Sequence, residues 1–89
     1  MNTLTLSRLR WACRRGMLEL DVLLGNFLAE AYITLSPQDQ LTFVALLECN
    51  DQELFMWLTG KENPTEPKFI LMVEKIRQHA KTRKQISNI

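Results

Sequence analysis

Apolar positions recur along this chain at spacings of three and four rather than two. Between Met17 and Leu35, the residues Leu20, Leu24, Phe27, Leu28, Ala31 and Leu35 fall on one face of a helix, while Glu19, Asn26 and Glu30 fall on another. From Pro67 onward the stripe is cleaner: Phe69, Met72, Val73, Ile76 and Ala80 share one side, and Lys68, Lys75, Arg77 and Lys81 point elsewhere. A first segment from about Leu4 to Arg15 has the same helical character. Sustained alternation of apolar and polar residues, the mark of a half-buried strand, does not occur.

The breaks between these stretches have their own chemistry. Ser36 precedes Pro37 and Asp39, so its hydroxyl can cap exposed N–H groups, Pro37 suits the first helical position, and Asp39 sits at the positive end of the dipole. A third helix is predicted from there to about Cys49. Asn50 followed by Glu53 resembles a capping box and predicts a short fourth helix over DQELFMWLT. Gly60 and the Pro64 and Pro67 breakers close it, and the fifth helix starts near Pro67. The QISNI end reads as a frayed tail from about residue 84. Five helices with short connections and no internal repeat predict an all-α fold, a compact five-helix bundle forming a single domain over 1–89.

Composition narrows the picture. With 89 residues, 46% hydrophobic and 24% charged, the chain is globular in character and sized for one domain. A domain of this length buries only about 60–65% of its unfolded surface, which leaves little room for a deep active site. The net charge of +1 conceals a segregation. Residues 1–18 hold four arginines and no acid, residues 19–66 hold nine acids against Lys61, and residues 67–89 hold six cations against Glu74. Such a layout can tie the ends to the middle or present two faces of opposite sign. The basic start has the flavour of a mitochondrial transit peptide. It runs straight into the apolar pattern, however, and reads as part of the fold. No apolar span approaches the roughly 20 residues of a transmembrane helix, so no membrane insertion is expected. Cys13 and Cys49, with no CxxC spacing around them, read as reduced, semi-buried thiols of a cytoplasmic protein.

Catalytic chemistry is hard to assemble from these residues. His79, the single histidine, stands on a basic helix and reads as a surface residue, with neither a metal site nor a nucleophile pair to complete around it. Ser7, Ser36 and Ser87 lack a base. Asp51 and Glu53 are explained by their place at a helix start, and the three glycines are too scattered for a phosphate loop. The expectation is no catalytic residue, no metal, and no enzyme. Trp11, Phe27, Phe43, Phe55, Trp57 and Phe69 sit at helical spacings and read as core. The acidic middle would repel a nucleic-acid backbone, which weighs against that partner.

One stretch resists a bland reading. In RWACRRGMLELD, Trp11 to Asp21, a glycine sits between two arginines and an acidic turn. Continued as one helix, the run would carry Gly16 at a cost of about 1 kcal/mol against alanine for no gain. A break is favoured, with Gly16 supplying a positive-φ turn, Arg14 and Arg15 ending one helix and Glu19 opening the next. A purely structural corner, closed by an Arg15–Glu19 ion pair worth little at a surface, accounts for the pattern. The functional alternative is a corner that lets a partner's backbone approach closely.

The same residues carry a resemblance. Arg15, Gly16 and Glu19 form an RGxxE motif followed by Leu20 and Asp21, and LLECNDQELFMWL, from Leu46 to Leu58, is similar to a second signature, LLExxDxxLFxWL. Together they resemble the bacterial SdhE family of FAD assembly factors, related to the mitochondrial succinate dehydrogenase assembly factor 2 and also labelled CptB-like antitoxins. The likeness covers about Leu9 to Ile76. Asn50 and Asp51 stand where the family commonly has an acidic pair. The resemblance implies a five-helix, all-α fold and a chaperone-like helper that binds the flavoprotein subunit of succinate dehydrogenase, and often of fumarate reductase. It further implies that the helper promotes covalent attachment of FAD to a client histidine. FAD is then attached on the client, and direct binding of free FAD stays an open question. Carried onto this chain, the client-binding residues are Arg15, Gly16 and Glu19, with Arg14 and Asp21 as neighbours. The alternatives are an antitoxin acting against a membrane-associated toxin and a small nucleic-acid-binding protein.

Overall fold

The computed structural model describes the backbone of residues 3–87 and the side chains of residues 6–83. Within them lie five α-helices: α1, Thr3–Ala12; α2, Leu18–Glu30; α3, Pro37–Leu46; α4, Asp51–Leu58; and α5, Pro67–Ser87. A 3-10 turn, Tyr32–Thr34, separates α2 from α3. No strand occurs among the described residues. The radius of gyration, 12.4 Å, is what about 89 residues give when packed as one domain, roughly 12 Å.

Where caps are local, they form as the sequence requires. The amide of Asp39 donates to the Ser36 hydroxyl at 3.1 Å, and that of Glu53 donates to the Asn50 side-chain oxygen at 2.8 Å. Gly60 adopts φ +83. Its N–H donates to the Trp57 carbonyl while that of Lys61 reaches back to Met56, the paired closure that a left-handed residue makes possible at a helix end.

Three boundaries differ from the sequence expectation, each for a tertiary reason. The second helix stops at Glu30 rather than Leu35. There the Thr34 hydroxyl donates to the Ala31 carbonyl and the Gln40 amide donates to the Tyr32 carbonyl, which together hold the β-branched Ile33 and Thr34 in the tighter turn. The third helix stops at Leu46 rather than Cys49, because the carbonyls of Leu47 and Cys49 turn to accept from Arg15. The first ends at Ala12, so Cys13 to Arg15 belong to the corner. α5 runs through Ser87; the tail expected from about residue 84 falls on side chains, and at 88–89 on backbone, outside the described residues.

α2 and α5 pack against each other and both against α4, α3 packs on α5, and α1 lies on α2. Their shared core is Leu20, Leu24 and Phe27 from α2, Phe43 and Leu46 from α3, Leu54 from α4, and Met72, Val73 and Ile76 from α5. Ring contacts reinforce it: Phe27 and Phe43 lie 5.4 Å apart, Tyr32 and Phe43 5.6 Å. Each large side chain here is worth about 2–5 kcal/mol against alanine. Trp11 is a correction to the sequence expectation. It is 72% exposed, because the buried positions flanking it are Leu9 on α1 and Cys13 just past the helix end, and a residue two away from Leu9 lies on the opposite side of the helix.

Candidate functional site

The corner between α1 and α2 is built from four residues acting on the backbone. Gly16 has φ +88, a conformation that costs a side-chain-bearing residue roughly 1–2 kcal/mol. Asp21, one turn into α2, turns its carboxylate back to accept from the amides of Arg15 at 2.5 Å and Gly16 at 3.3 Å. Met17 is extended and offers no side-chain cap; the Asp21 carboxylate instead pins the two residues of the corner that lead into the helix.

Arg15 points inward, and the ion pair expected with Glu19 is replaced by one with Asp51. The Arg15 Nε lies 2.7 Å from Asp51 Oδ1, and the Arg15 side chain is 16% exposed. One terminal nitrogen donates to the carbonyls of Ala12 at 3.0 Å and Leu47 at 2.7 Å, the other to Cys49 at 2.6 Å. The guanidinium thus collects orphan carbonyls from the end of α1 and the turn after α3, and clamps them to the first residue of α4. A planar fork with five donors suits this task; an ammonium does not.

Outside this lock, Gly16, Glu19, Arg14 and Leu18 face solvent. Gly16 is exposed, and a Cβ built on it meets nothing within 4 Å. The conformation, and not crowding within the chain, is what favours glycine. Glu19 is exposed in the first turn of α2 and has no partner among the described residues. Arg14 is exposed, its guanidinium 5.4 Å from the centre of the Trp11 ring. Leu18, two residues after Gly16, is 81% exposed. Gly16, Glu19 and Arg14 therefore offer an outward surface, whereas Arg15 and Asp21 shape it from behind.

Two further features bear on chemistry. Burial pushes the Cys13 thiol up to about 11, against the lowering pull of Arg15 and with a smaller raising contribution from Asp21. Burial raises Cys49 as well. Neither thiol is tuned toward the thiolate that nucleophilic chemistry needs. His79, expected at the surface, is half-buried: its Nε2 lies 2.9 Å from Glu30 Oε1 and its ring stands edge-on to Phe27 at 5.5 Å. Glu30 also accepts from Arg83 Nε, at 2.8 and 2.9 Å. Hydrogen bonding from Arg83 is the main cause holding the Glu30 carboxyl below the usual carboxylate range. No group of three or more His, Cys, Asp or Glu residues is placed to hold a metal among the described residues. Nor is any described helix long and apolar enough to cross a membrane.

Comparison with known proteins places this geometry. The family described as flavinator of succinate dehydrogenase, Sdh5, matches residues 7–80. The chain belongs to the Sdh5 family. Among its relatives, the FAD assembly factor SdhE of Shewanella oneidensis is 48% identical over 80 residues, covering 90% of this chain and 98% of the relative. The SdhE of Colwellia psychrerythraea is 51% identical over 75 residues, covering 84% and 82%. The solution structure of a UPF0350 protein, 40% identical, superposes with a TM-score of 0.76 and covers 98% of this chain and 94% of that one. The Sdh5 match contains the whole corner, from Trp11 to Asp21, together with Asp51.

Sequence reasoning about this Sdh5 member missed Trp11, Leu18 and Asp51. Two of them left a signal: Trp11 lies off the Leu9 and Cys13 side, and Leu18 lies off the Leu20, Leu24 and Phe27 stripe. Asp51 left none, since 36 residues separate it from Arg15 and its place at a helix start explained it locally.

Proposed function

We propose that this chain is an FAD assembly factor: it binds the flavoprotein subunit of succinate dehydrogenase, and that of fumarate reductase where present, and promotes covalent attachment of FAD to a client histidine. The bond forms on the client, and FAD is the client's cargo; the chain acts as a helper and not as an enzyme. Membership in a family of flavinators supports the client class. The observation that carries the site is the exposed Gly16 corner, left-handed and locked from behind by Arg15.

On this reading Gly16 lets the client's backbone come close, and Glu19 and Arg14 contribute charge-assisted hydrogen bonds at its flanks. Trp11 and Leu18, large and exposed beside them, supply the apolar anchors that interface energetics favour. Arg15 and Asp21 hold the corner rigid, so that little ordering entropy is lost on docking. Holding a mobile part of the client where its histidine faces the flavin removes barrier by positioning, worth about 7–11 kcal/mol in well-oriented cases.

The test is covalent flavin on the client subunit, read as in-gel fluorescence after denaturation, in cells lacking this gene. Wild type should restore the signal. Gly16→Arg and Trp11→Ala should leave it low while retaining wild-type helical circular dichroism. Unchanged covalent flavin in the gene's absence would remove the assembly-factor reading.

A further inference from the structure

A groove of about 500 Å³ runs between α2 and α5, with Leu58 of α4 at its base. Volumes of this order are those of ligand pockets, and this one is open along one side. Val22 and Leu23 form one apolar wall and Ala80 the other. Val22 remains 49% exposed although it sits on a helix with a full core face.

Charge in the groove is arranged in an unusual way. Arg77, His79 and Arg83 all reach it, and all are engaged: Arg77 donates to the Trp57 carbonyl at 2.8 Å, while His79 and Arg83 hold Glu30. Glu19 on the α2 wall and Lys81 on the α5 wall also line it, and neither has a partner among the described residues. An acid and a cation thus stand in one groove that apolar residues also line, and they form no ion pair with each other.

We infer that the α2–α5 groove receives a segment of the client flavoprotein, one that presents an apolar side chain between a basic and an acidic residue. The basic residue meets Glu19, the apolar side chain lies on Val22, Leu23 and Ala80, and the acidic residue meets Lys81. This inference rests on the proposed function and extends it: Glu19 belongs both to the corner and to the groove, so the docking surface continues from Gly16 along α2 to α5. A polyanionic small molecule fits less well, since among the described residues Lys81 is the one cation of the groove not already engaged and Glu19 would repel a pyrophosphate. Opposed charges of this kind fix the register and partner choice of a docked segment more than its raw affinity.

The experiment measures binding of the purified flavoprotein subunit to the full chain by titration. It compares wild type with Ala80→Leu, which fills the groove, Lys81→Glu, which reverses its free cation, and Lys75→Glu, the same charge change on α5 outside the groove. Thermal melts accompany each variant, and Lys81→Glu, at an exposed position, keeps the test valid if Ala80→Leu perturbs packing. Ala80→Leu and Lys81→Glu should each weaken binding at least tenfold, with Lys75→Glu within about threefold of wild type. Wild-type binding by both groove variants, alongside loss in Gly16→Arg, overturns the groove and leaves the assembly-factor reading standing. Equal loss in Lys75→Glu overturns it too, because net charge would then be the cause. Binding of free FAD that Ala80→Leu abolishes would assign the groove to the flavin and overturn the peptide occupant. If the wild type neither binds the client nor raises its covalent flavin, the proposed function itself fails and takes the occupant with it.

Discussion

At the scale of single residues, the RGxxE motif divides into parts that do different work. Arg15 is a structural clamp. Replacing it by lysine keeps the charge but cannot hold Asp51 and three carbonyls at once, so Arg15→Lys should lose roughly 2–3 kcal/mol of stability, read as a lower denaturant midpoint at unchanged slope. A midpoint within experimental error of wild type would mean that the clamp contributes nothing. Gly16 can be dissected in the same way. Asparagine tolerates a positive φ better than alanine, so Gly16→Asn should melt closer to wild type than Gly16→Ala. Both add atoms to a surface that is open in the free chain, and both should lose client flavinylation if a partner's backbone approaches there. Full flavinylation with Gly16→Asn would reduce the glycine to a turn former. The sequence made the break at Gly16 legible because a glycine amid arginines has a local conformational explanation. Which way Arg15 points was not legible, since its carbonyl partners lie in another helix turn and its acid 36 residues away.

At the scale of elements, helix starts were more legible than helix ends. Ser36 and Asn50 cap through their own side chains three residues on, a distance any sequence pattern spans. The ends of α2 and α3 were set by Gln40 and Arg15 reaching in from elsewhere, which no local period records. Gly60 is the exception that supports this, because its closure is local and was read correctly. The clip joining α2 to α5 has a pH signature. The Glu30 carboxyl is held below its ordinary range chiefly by Arg83, with His79 adding to the effect. Its stabilising contribution is therefore present above the ordinary carboxylate pKa and lost as pH falls through the lowered value. Amide exchange at residues 79–83 should stay slow from neutral pH down to the usual carboxylate range, once corrected for intrinsic rates, and accelerate below it. Arg83→Ala should move the acceleration toward higher pH. A profile indifferent to Arg83 would show that the clip does not hold the helix.

At the scale of the whole molecule, the segregated charge of the sequence becomes a fastening of the ends to the middle. Arg15 from the basic start meets Asp51, and Lys75, His79 and Arg83 from the basic end meet Asp39 and Glu30. Exposed pairs of this kind contribute little to stability, so the apolar core carries the fold and the charges select which ends meet it. A chain of this length has a total stability of about 4–13 kcal/mol, and Cys13 can report it. Its thiol is 2% exposed and pushed up to about 11, so alkylation near neutral pH must wait for the chain to open. Cys49 is only half-buried and should react first. Because Cys13 is part of the corner that Arg15 clamps, the loss of roughly 2–3 kcal/mol expected for Arg15→Lys should speed Cys13 labelling by about 30- to 150-fold, with Cys49 changing far less. Peptide mapping of alkylated protein at short times separates the two sites. If Cys13 labels as fast as Cys49 in native buffer, and Arg15→Lys leaves that rate alone, then α1 lifts off the remaining helices without global unfolding. The corner would in that case be a hinge instead of the rigid platform that docking at Gly16 requires.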